Sequence, residues 1–250
     1  DHFAEISASI KKQGRSSGGE LIVGLPGETK DSFTKGVKQI IDSGITRLTI
    51  YTLMMLYGTE FKDPKYRSDF KMKGKFRIVP LNLGEYDGKK VFDYEEVCIE
   101  HKDMSFKDYL DIRQLALVVE SIYNNQVFEV FFKYANSTLG VKPTELILSI
   151  LNNIHKAPSK IVKIFDEFKR ESKEELWGSE LDLIKYYEKP ENYKKLLNGE
   201  AGGNLIYKYK SMNLATAMPE WIKFLSVMLE KFALEKNMKD LKVKQHEIFM

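Results

Sequence analysis

The chain has 250 residues, 43% apolar and 30% charged, enough to bury one large core or two modest ones. Its 39 basic and 36 acidic residues leave a net charge of +3, so no general attraction to nucleic acid follows. No apolar run approaches the roughly 20 residues that span a bilayer, and Asp1-His2-Phe3 does not open a secretory signal. The expectation is a cytoplasmic chain that engages neither membrane nor nucleic acid.

Taken in order, Phe3, Ile6 and Ile10 share one helical stripe over residues 3–13, and a Gly- and Ser-rich loop over 14–19 ends it. A short strand is expected at 20–23. Thr29 is placed to cap the following helix, with Asp31 near its positive end. Phe33, Val37, Ile40 and Ile41 form the apolar stripe of a helix lying on a sheet, and Gly44 closes it. A second strand follows at 47–54. The connection suits a helical crossover, so the two strands should be parallel neighbours in a right-handed βαβ unit.

Residues 57–104 change character. They are rich in Gly, Lys, Asp and Tyr, with β-prone pieces at 76–79, 89–92 and 96–100, and read as a long excursion with a small hairpin over the strand ends. Ser105 caps a strong helix carrying Ile112, Leu115, Ala116, Val119 and Ile122 on one face. From Thr138 onward the pattern is helical, with Pro143, Pro158, Pro190 and Pro219 at or near helix starts. No fixed repeat is present. The division expected is 1–137 and a helical extension, 138–250.

The richest segment is Glu20-Leu-Ile-Val-Gly-Leu-Pro-Gly-Glu-Thr29. A glycine at the carboxyl end of a parallel strand permits positive φ or the close approach of a ligand, and that end is where parallel sheets bind ligands. A ligand-free tight turn explains Gly24 and Gly27 equally well. No Gly-Lys-Ser/Thr follows and no Gly-x-Gly-x-x-Gly is present, which disfavours a phosphate loop. Glu20 is either an inward carboxylate in a closed barrel or a solvated strand-edge residue. Cys98, the one cysteine, excludes an intrachain disulfide or a cysteine-only metal site. The four histidines, His2, His101, His155 and His246, have no metal-like spacing, and a Cys98–His101 nucleophile pair is rejected because strand alternation sends the two to opposite faces. Trp177, Trp221 and the aromatic-rich stretch 123–134 read as core.

The Gly24 segment, its crossover helix and Tyr51-Thr-Leu-Met-Met-Leu-Tyr-Gly-Thr59 together resemble the carboxyl half of the radical S-adenosylmethionine (SAM) barrel, in particular the branch associated with cobalamin (B12)-binding domains. The first segment is similar to that family's Gly-x-Ile-x-Gly-x-x-Glu element on the fifth strand, and the second to the sixth strand, which lines the adenine pocket. Gly84-Glu-Tyr86 and Met104-Ser-Phe-Lys-Asp-Tyr109 resemble the region that follows. The likeness covers roughly residues 1–135. It implies an α/β fold with a partial (β/α) TIM-like barrel of parallel strands followed by an all-α extension. It also implies that Ile22 and Gly24 meet the adenine or methionyl part of SAM, and that Tyr51 and Leu53 offer backbone contacts to adenine. Glu28 matches the family glutamate with one extra residue in the turn, and Tyr57-Gly58-Thr59 replaces the commoner Pro-Gly-Thr.

The family's Cys-x-x-x-Cys-x-x-Cys loop, which holds a [4Fe-4S] cluster, is absent, and one cysteine cannot replace it. The resemblance therefore implies a fragment, inactive alone, of an enzyme that uses SAM, the cluster, an electron donor and, in this branch, cobalamin. The parent would generate a 5′-deoxyadenosyl radical or transfer a methyl group; no metal ligand is assigned to this chain. Two rival readings stand beside it. One is a non-catalytic scaffold whose helical region binds a partner, and the other a small α/β enzyme that places a phosphate at Gly24.

Overall fold

The computed structural model describes residues 13–124 and 126–236, with residues 5, 6, 9 and 10 before them. The helix expected over 3–13 lies partly, and His2 and His246 wholly, outside the described residues.

β1 (Gly18–Val23) and β2 (Arg47–Thr52) pair in parallel, with Glu20 opposite Thr49 and Ile22 opposite Tyr51. The crossover is α1 (Lys30–Asp42). Its start is fixed as the sequence implies: Thr29 Oγ1 accepts the Ser32 N–H at 3.1 Å, and Ser32 Oγ accepts the Thr29 N–H at 2.9 Å. Its end is a left-handed Gly44, φ +91°, whose N–H donates to Ile41 C=O. Phe33, Val37 and Ile41 are buried together with Val23 and Leu48, so α1 covers one face of the strand pair.

The excursion after β2 is more ordered than its composition suggests. It holds a 3₁₀ turn at Glu60–Lys62, α2 (Pro64–Asp69), and a long antiparallel hairpin of β3 (Lys73–Tyr86) and β4 (Lys89–Glu100). The three short β-prone pieces are thus parts of two long strands, whose alternation is broken by a register shift between Ile78 and Leu83. Asp87 and Gly88 adopt φ +49° and +75°, the geometry of a two-residue hairpin turn. Residues 53–55 then tie the hairpin to the first sheet. Leu53 N–H donates to Val23 C=O at 2.8 Å, Cys98 N–H to Leu53 C=O at 2.9 Å, and Met55 N–H to Glu96 C=O at 2.8 Å.

Helices complete the chain: α3 (Phe106–Val118), prolonged by a π-helical turn at Val119–Tyr123, α4 (Glu129–Leu139) and α5 (Pro143–Asn153). α6 (Ser159–Glu174), α7 (Glu180–Tyr187), α8 (Pro190–Leu197), α9 (Leu205–Thr216) and α10 (Met218–Glu235) follow. Ser105 caps α3 in a box with Asp108, as expected. Phe128, Phe131 and Trp221 are fully buried, whereas Trp177 is half-buried against Tyr186 and Tyr187.

The architecture is mixed α/β, as expected. The described residues form no closed barrel; they hold two two-stranded sheets, β1–β2 and β3–β4. The helical extension expected after residue 137 packs onto the part before it. Gly140 ends α4 with a left-handed φ of +59°, yet one apolar core runs from Val23 to Ala233. Thr144 Oγ1, on α5, donates to the Asp42 carboxylate at the end of α1 at 2.8 Å, so the helical region is fastened to the βαβ unit.

Candidate functional site

The βαβ unit is covered on one side only. Leu21, Val23, Leu48 and Ile50 face α1 and the core, while Glu20, Ile22, Thr49 and Tyr51 occupy the other face. Ile22 is 42% and Tyr51 49% exposed, and the Glu20 carboxylate is exposed beside them. The apolar surface continues past the strand ends through Leu25, Met54, Leu56 and Tyr57, all exposed. Parallel sheets normally lie buried on both faces, because each strand is followed by a helix that packs back on the sheet. A parallel pair with one bare apolar face is therefore an incomplete layer, and β1 also leaves its outer edge without a neighbouring strand among the described residues.

The Gly24 turn has a physical cause inside the protein. Gly24 adopts φ +103°, and a side chain there would stand 3.2 Å from Cys98 C=O and 3.4 Å from Cys98 Cβ and from Leu53 Cβ. The space that a ligand would enter is thus filled by β4. Gly27, φ +86°, faces open space, so only its backbone conformation requires glycine. Leu25 C=O accepts the Glu28 N–H at 3.2 Å, which closes the turn around Pro26. Glu28 itself is half-buried, and burial raises its carboxyl above the ordinary range.

The five residues singled out by sequence fall at one end of the β1–β2 pair but are not equivalent. Ile22 and Tyr51 lie side by side on the bare face. Gly24 and Leu53 meet each other and β4 beneath it, and Leu53 is buried with its N–H given to Val23 and its C=O to Cys98. That N–H is committed to the ladder. Glu28 sits at the far side of the turn.

A charged cluster that sequence reading missed holds the excursion against this end. Glu96, on β4, is 8% exposed. Its Oε2 accepts from Lys62 Nζ at 2.6 Å and its Oε1 from Arg67 Nη2 at 2.8 Å. Burial pulls the Glu96 carboxyl upward, but the bonds from Arg67 and Lys62 outweigh it and hold the group below its usual range. Lys62 Nζ also lies 4.3 Å from the centroid of the exposed Tyr57 ring beside the strand ends. Gly74 is the one detectable signal: a side chain there would come within 2.0 Å of Glu96 Oε1.

The rejected nucleophile pair is inert. Cys98 is fully buried, burial pushes its thiol up to about 11, and Sγ donates to Glu100 C=O. His101 is buried, its Nδ1 accepts the Asp103 N–H at 3.3 Å, and burial lowers its pKa. His155 lies exposed at the end of a 3₁₀ turn, as expected of a surface histidine. Among the described residues no three His, Cys, Asp or Glu side chains converge as a metal site. No helix there is long and apolar enough to cross a membrane.

In comparison with known proteins, the chain matches no family model, and no curated protein matches it.

Proposed function

We propose that this chain supplies the carboxyl-side half of a radical SAM barrel, of the cobalamin-associated branch, and that the face bearing Ile22 and Tyr51 is an interior, cofactor-facing surface. The observation that carries this reading is the exposed Ile22 and Tyr51 on one face of a parallel βαβ unit whose other face packs against the core through Val23 and Leu48. The residues suit some parts of the cofactor set and not others. Ile22 and Tyr51 offer an exposed apolar platform for an adenine ring, and the half-buried Glu28 has no side-chain partner among the described residues. A [4Fe-4S] cluster does not fit this chain, whose single thiol is buried and protonated, so its thiolates belong to another segment. When bound at such a cluster, SAM supplies radical or methyl chemistry. This chain's part is to seat the adenine end and keep water from the apolar face.

The scaffold reading is weaker, because a stand-alone scaffold would not leave a bare apolar sheet face beside an open strand edge. The test uses Ile22→Lys in a protein that joins this chain to a cluster-bearing barrel half. Ile22 is already exposed, so folding should be unchanged, whereas SAM affinity measured by calorimetry should fall at least about ten-fold, roughly 1.4 kcal/mol. Unchanged affinity would remove Ile22 from the site. Absence of any SAM binding in the joined protein would remove the reading itself.

A further inference from the structure

A cleft of about 400 Å³ lies where β3, the end of α6, α7 and the start of α9 meet, and it does not depend on the SAM reading. Its size falls among small-molecule pockets, roughly 300–1,000 Å³. Trp177 and Tyr186 line it, both half-buried, together with the buried Tyr187. Trp177 is anchored through its backbone: its N–H donates to Phe76 C=O at 2.7 Å and its C=O accepts the Phe76 N–H at 2.9 Å. Its ring packs on Tyr186 at 5.0 Å between centroids and on Tyr187 at 6.1 Å, tilted by 45° and 64°. The Gly199–Gly203 segment forms another wall. Gly202 adopts φ +69°, and a side chain there would stand 2.7 Å from Ile78 Cγ2 and 2.9 Å from Leu196 Cδ2. Glycine thus lets this segment lie directly on β3 and α8, which builds the wall in advance of any ligand.

The polar lining is rich in carboxylates, Glu171, Glu174, Glu175 and Glu200, but their charge is largely spent on basic neighbours. Glu171 takes Lys208 Nζ on both oxygens, at 2.9 and 2.7 Å, and Glu174 takes Arg170 Nη1 at 2.5 Å. Glu175 Oε1 takes Arg113 Nη2 at 3.0 Å and lies 3.6 Å from Arg77 Nη1, while Arg77 Nε donates to Glu95 at 2.6 Å. Behind this wall, Lys210 Nζ meets Glu120 Oε1 at 2.6 Å. A carboxylate has about four lone-pair sites, so pairing does not exhaust it. Glu175 Oε2 receives no hydrogen bond from any described residue, and Glu200 receives one, from Asn198 Nδ2 at 3.1 Å to Oε1. The Gly199, Glu200 and Ala201 N–H groups close the turn after α8, whereas those of Gly202 and Gly203 have no acceptor among the described residues.

Such a wall selects by chemistry. An anion would meet the carboxylates, and a cation would find them already neutralised, so a charged ligand gains little. A flat purine wants a parallel slot, whereas these rings stand at 45° and 64° to one another and offer a platform. What remains is a neutral molecule with many O–H donors and one apolar face. We propose that this cleft binds a neutral hexopyranose with equatorial hydroxyls, as a single sugar or as the end unit of an oligosaccharide. The axial C–H groups of such a ring form an apolar face that lies on the Trp177 indole. Its hydroxyls radiate from the ring edge, donate to Glu175 and Glu200, and accept from the Gly202 and Gly203 amides.

The experiment is a ¹⁵N NMR titration of the unmodified chain with methyl β-D-glucopyranoside, cellobiose, sorbitol, adenosine and tetramethylammonium. The glucoside should bind with a Kd on the order of millimolar. It should shift the Trp177 indole N–H and the Gly202 and Gly203 amides. The Trp221 indole is fully buried and donates to Asn213, so it should stay unmoved. Sorbitol carries the hydroxyls without the ring face and should bind at least about ten-fold more weakly. Cellobiose binding about ten-fold tighter than the glucoside identifies an oligosaccharide; equal binding identifies a single sugar. Trp177→Ala should weaken the glucoside at least about ten-fold, and Glu200→Ala, at an exposed position that leaves the fold intact, about three-fold. The proposal is overturned if the Trp177 indole does not move with the glucoside up to ~100 mM. It is equally overturned if sorbitol matches the glucoside, or if adenosine or tetramethylammonium binds more tightly.

Discussion

Replacing Gly24 with alanine tests whether the turn's glycine answers to protein packing. Two costs arise there. An L-residue forced to φ +103° pays about 1–3 kcal/mol in backbone strain. The new methyl also stands 3.2 Å from Cys98 C=O, a backbone group held by the bond from Cys98 N–H to Leu53 C=O. Moving that strand by a few tenths of an ångström adds about 1 kcal/mol or more, the scale of overpacking. Gly27→Ala is the internal control, because φ +86° carries the backbone cost while nothing stands within 4 Å. The expected losses are about 2–4 kcal/mol for Gly24→Ala and about 1–3 kcal/mol for Gly27→Ala, with Gly24→Ala about 1 kcal/mol the larger. Urea unfolding followed by the fluorescence of Trp177 and Trp221 reads both. If Gly24→Ala costs no more than Gly27→Ala, the contact with β4 does not govern the turn. The same geometry means that a bulky residue at Gly24 would act through folding, which makes Ile22 the cleaner position for testing the proposed SAM site.

Two further outcomes follow from buried polar groups. Glu96→Gln keeps the shape but leaves Lys62 and Arg67 without a counter-charge; because both reach partly into solvent, the loss should be about 1–3 kcal/mol in urea unfolding, below that of a fully buried pair. Glu96 is held below its usual range in the fold, so its contribution is present above the ordinary carboxylate pKa and disappears as pH falls below it; Glu96→Gln should flatten that acid limb. His101 has a lowered pKa because it is buried, so the unfolded chain takes up a proton near pH 6.5 and the folded chain only at lower pH. Stability should hold above that value and decline as pH drops below it, and His101→Asn should reduce the slope. An unchanged slope would mean that His101 is not the group responsible.

Much of the βαβ unit was legible because its signals are local. Thr29 with Ser32, the stripe of Phe33, Val37 and Ile41, and Gly44 after the last turn are all set within a few residues of one another. The hairpin was harder to read, since the irregularity between Ile78 and Leu83 interrupts the two-residue alternation that marks a strand. The cause of Gly24 was hidden altogether: Cys98, which fills its space, lies far along the chain, and no local pattern encodes that contact. Arg113 and Glu120 did leave a trace. They stand seven residues apart in a helix whose neighbours are buried apolar residues, and a charge on such a face must find a partner or a ligand. The division expected near residue 137 followed the change to helical composition, which says nothing about packing; Thr144 reaching Asp42 makes the two parts one core.

The central claim is that the face bearing Ile22 and Tyr51 is an interior surface, and a cysteine at position 22 reads it directly. Cys98, the single native cysteine, is fully buried and should stay silent, so maleimide labelling of an Ile22→Cys protein reports one site. In the 250-residue chain that thiol should react at the rate of an exposed cysteine. In a protein that joins this chain to a cluster-bearing barrel half, it should be protected by about 100-fold or more, the effect of burying a side chain worth roughly 2–3 kcal/mol of apolar surface. Equal labelling in the two proteins would show that nothing covers the face, and would contradict the half-barrel reading.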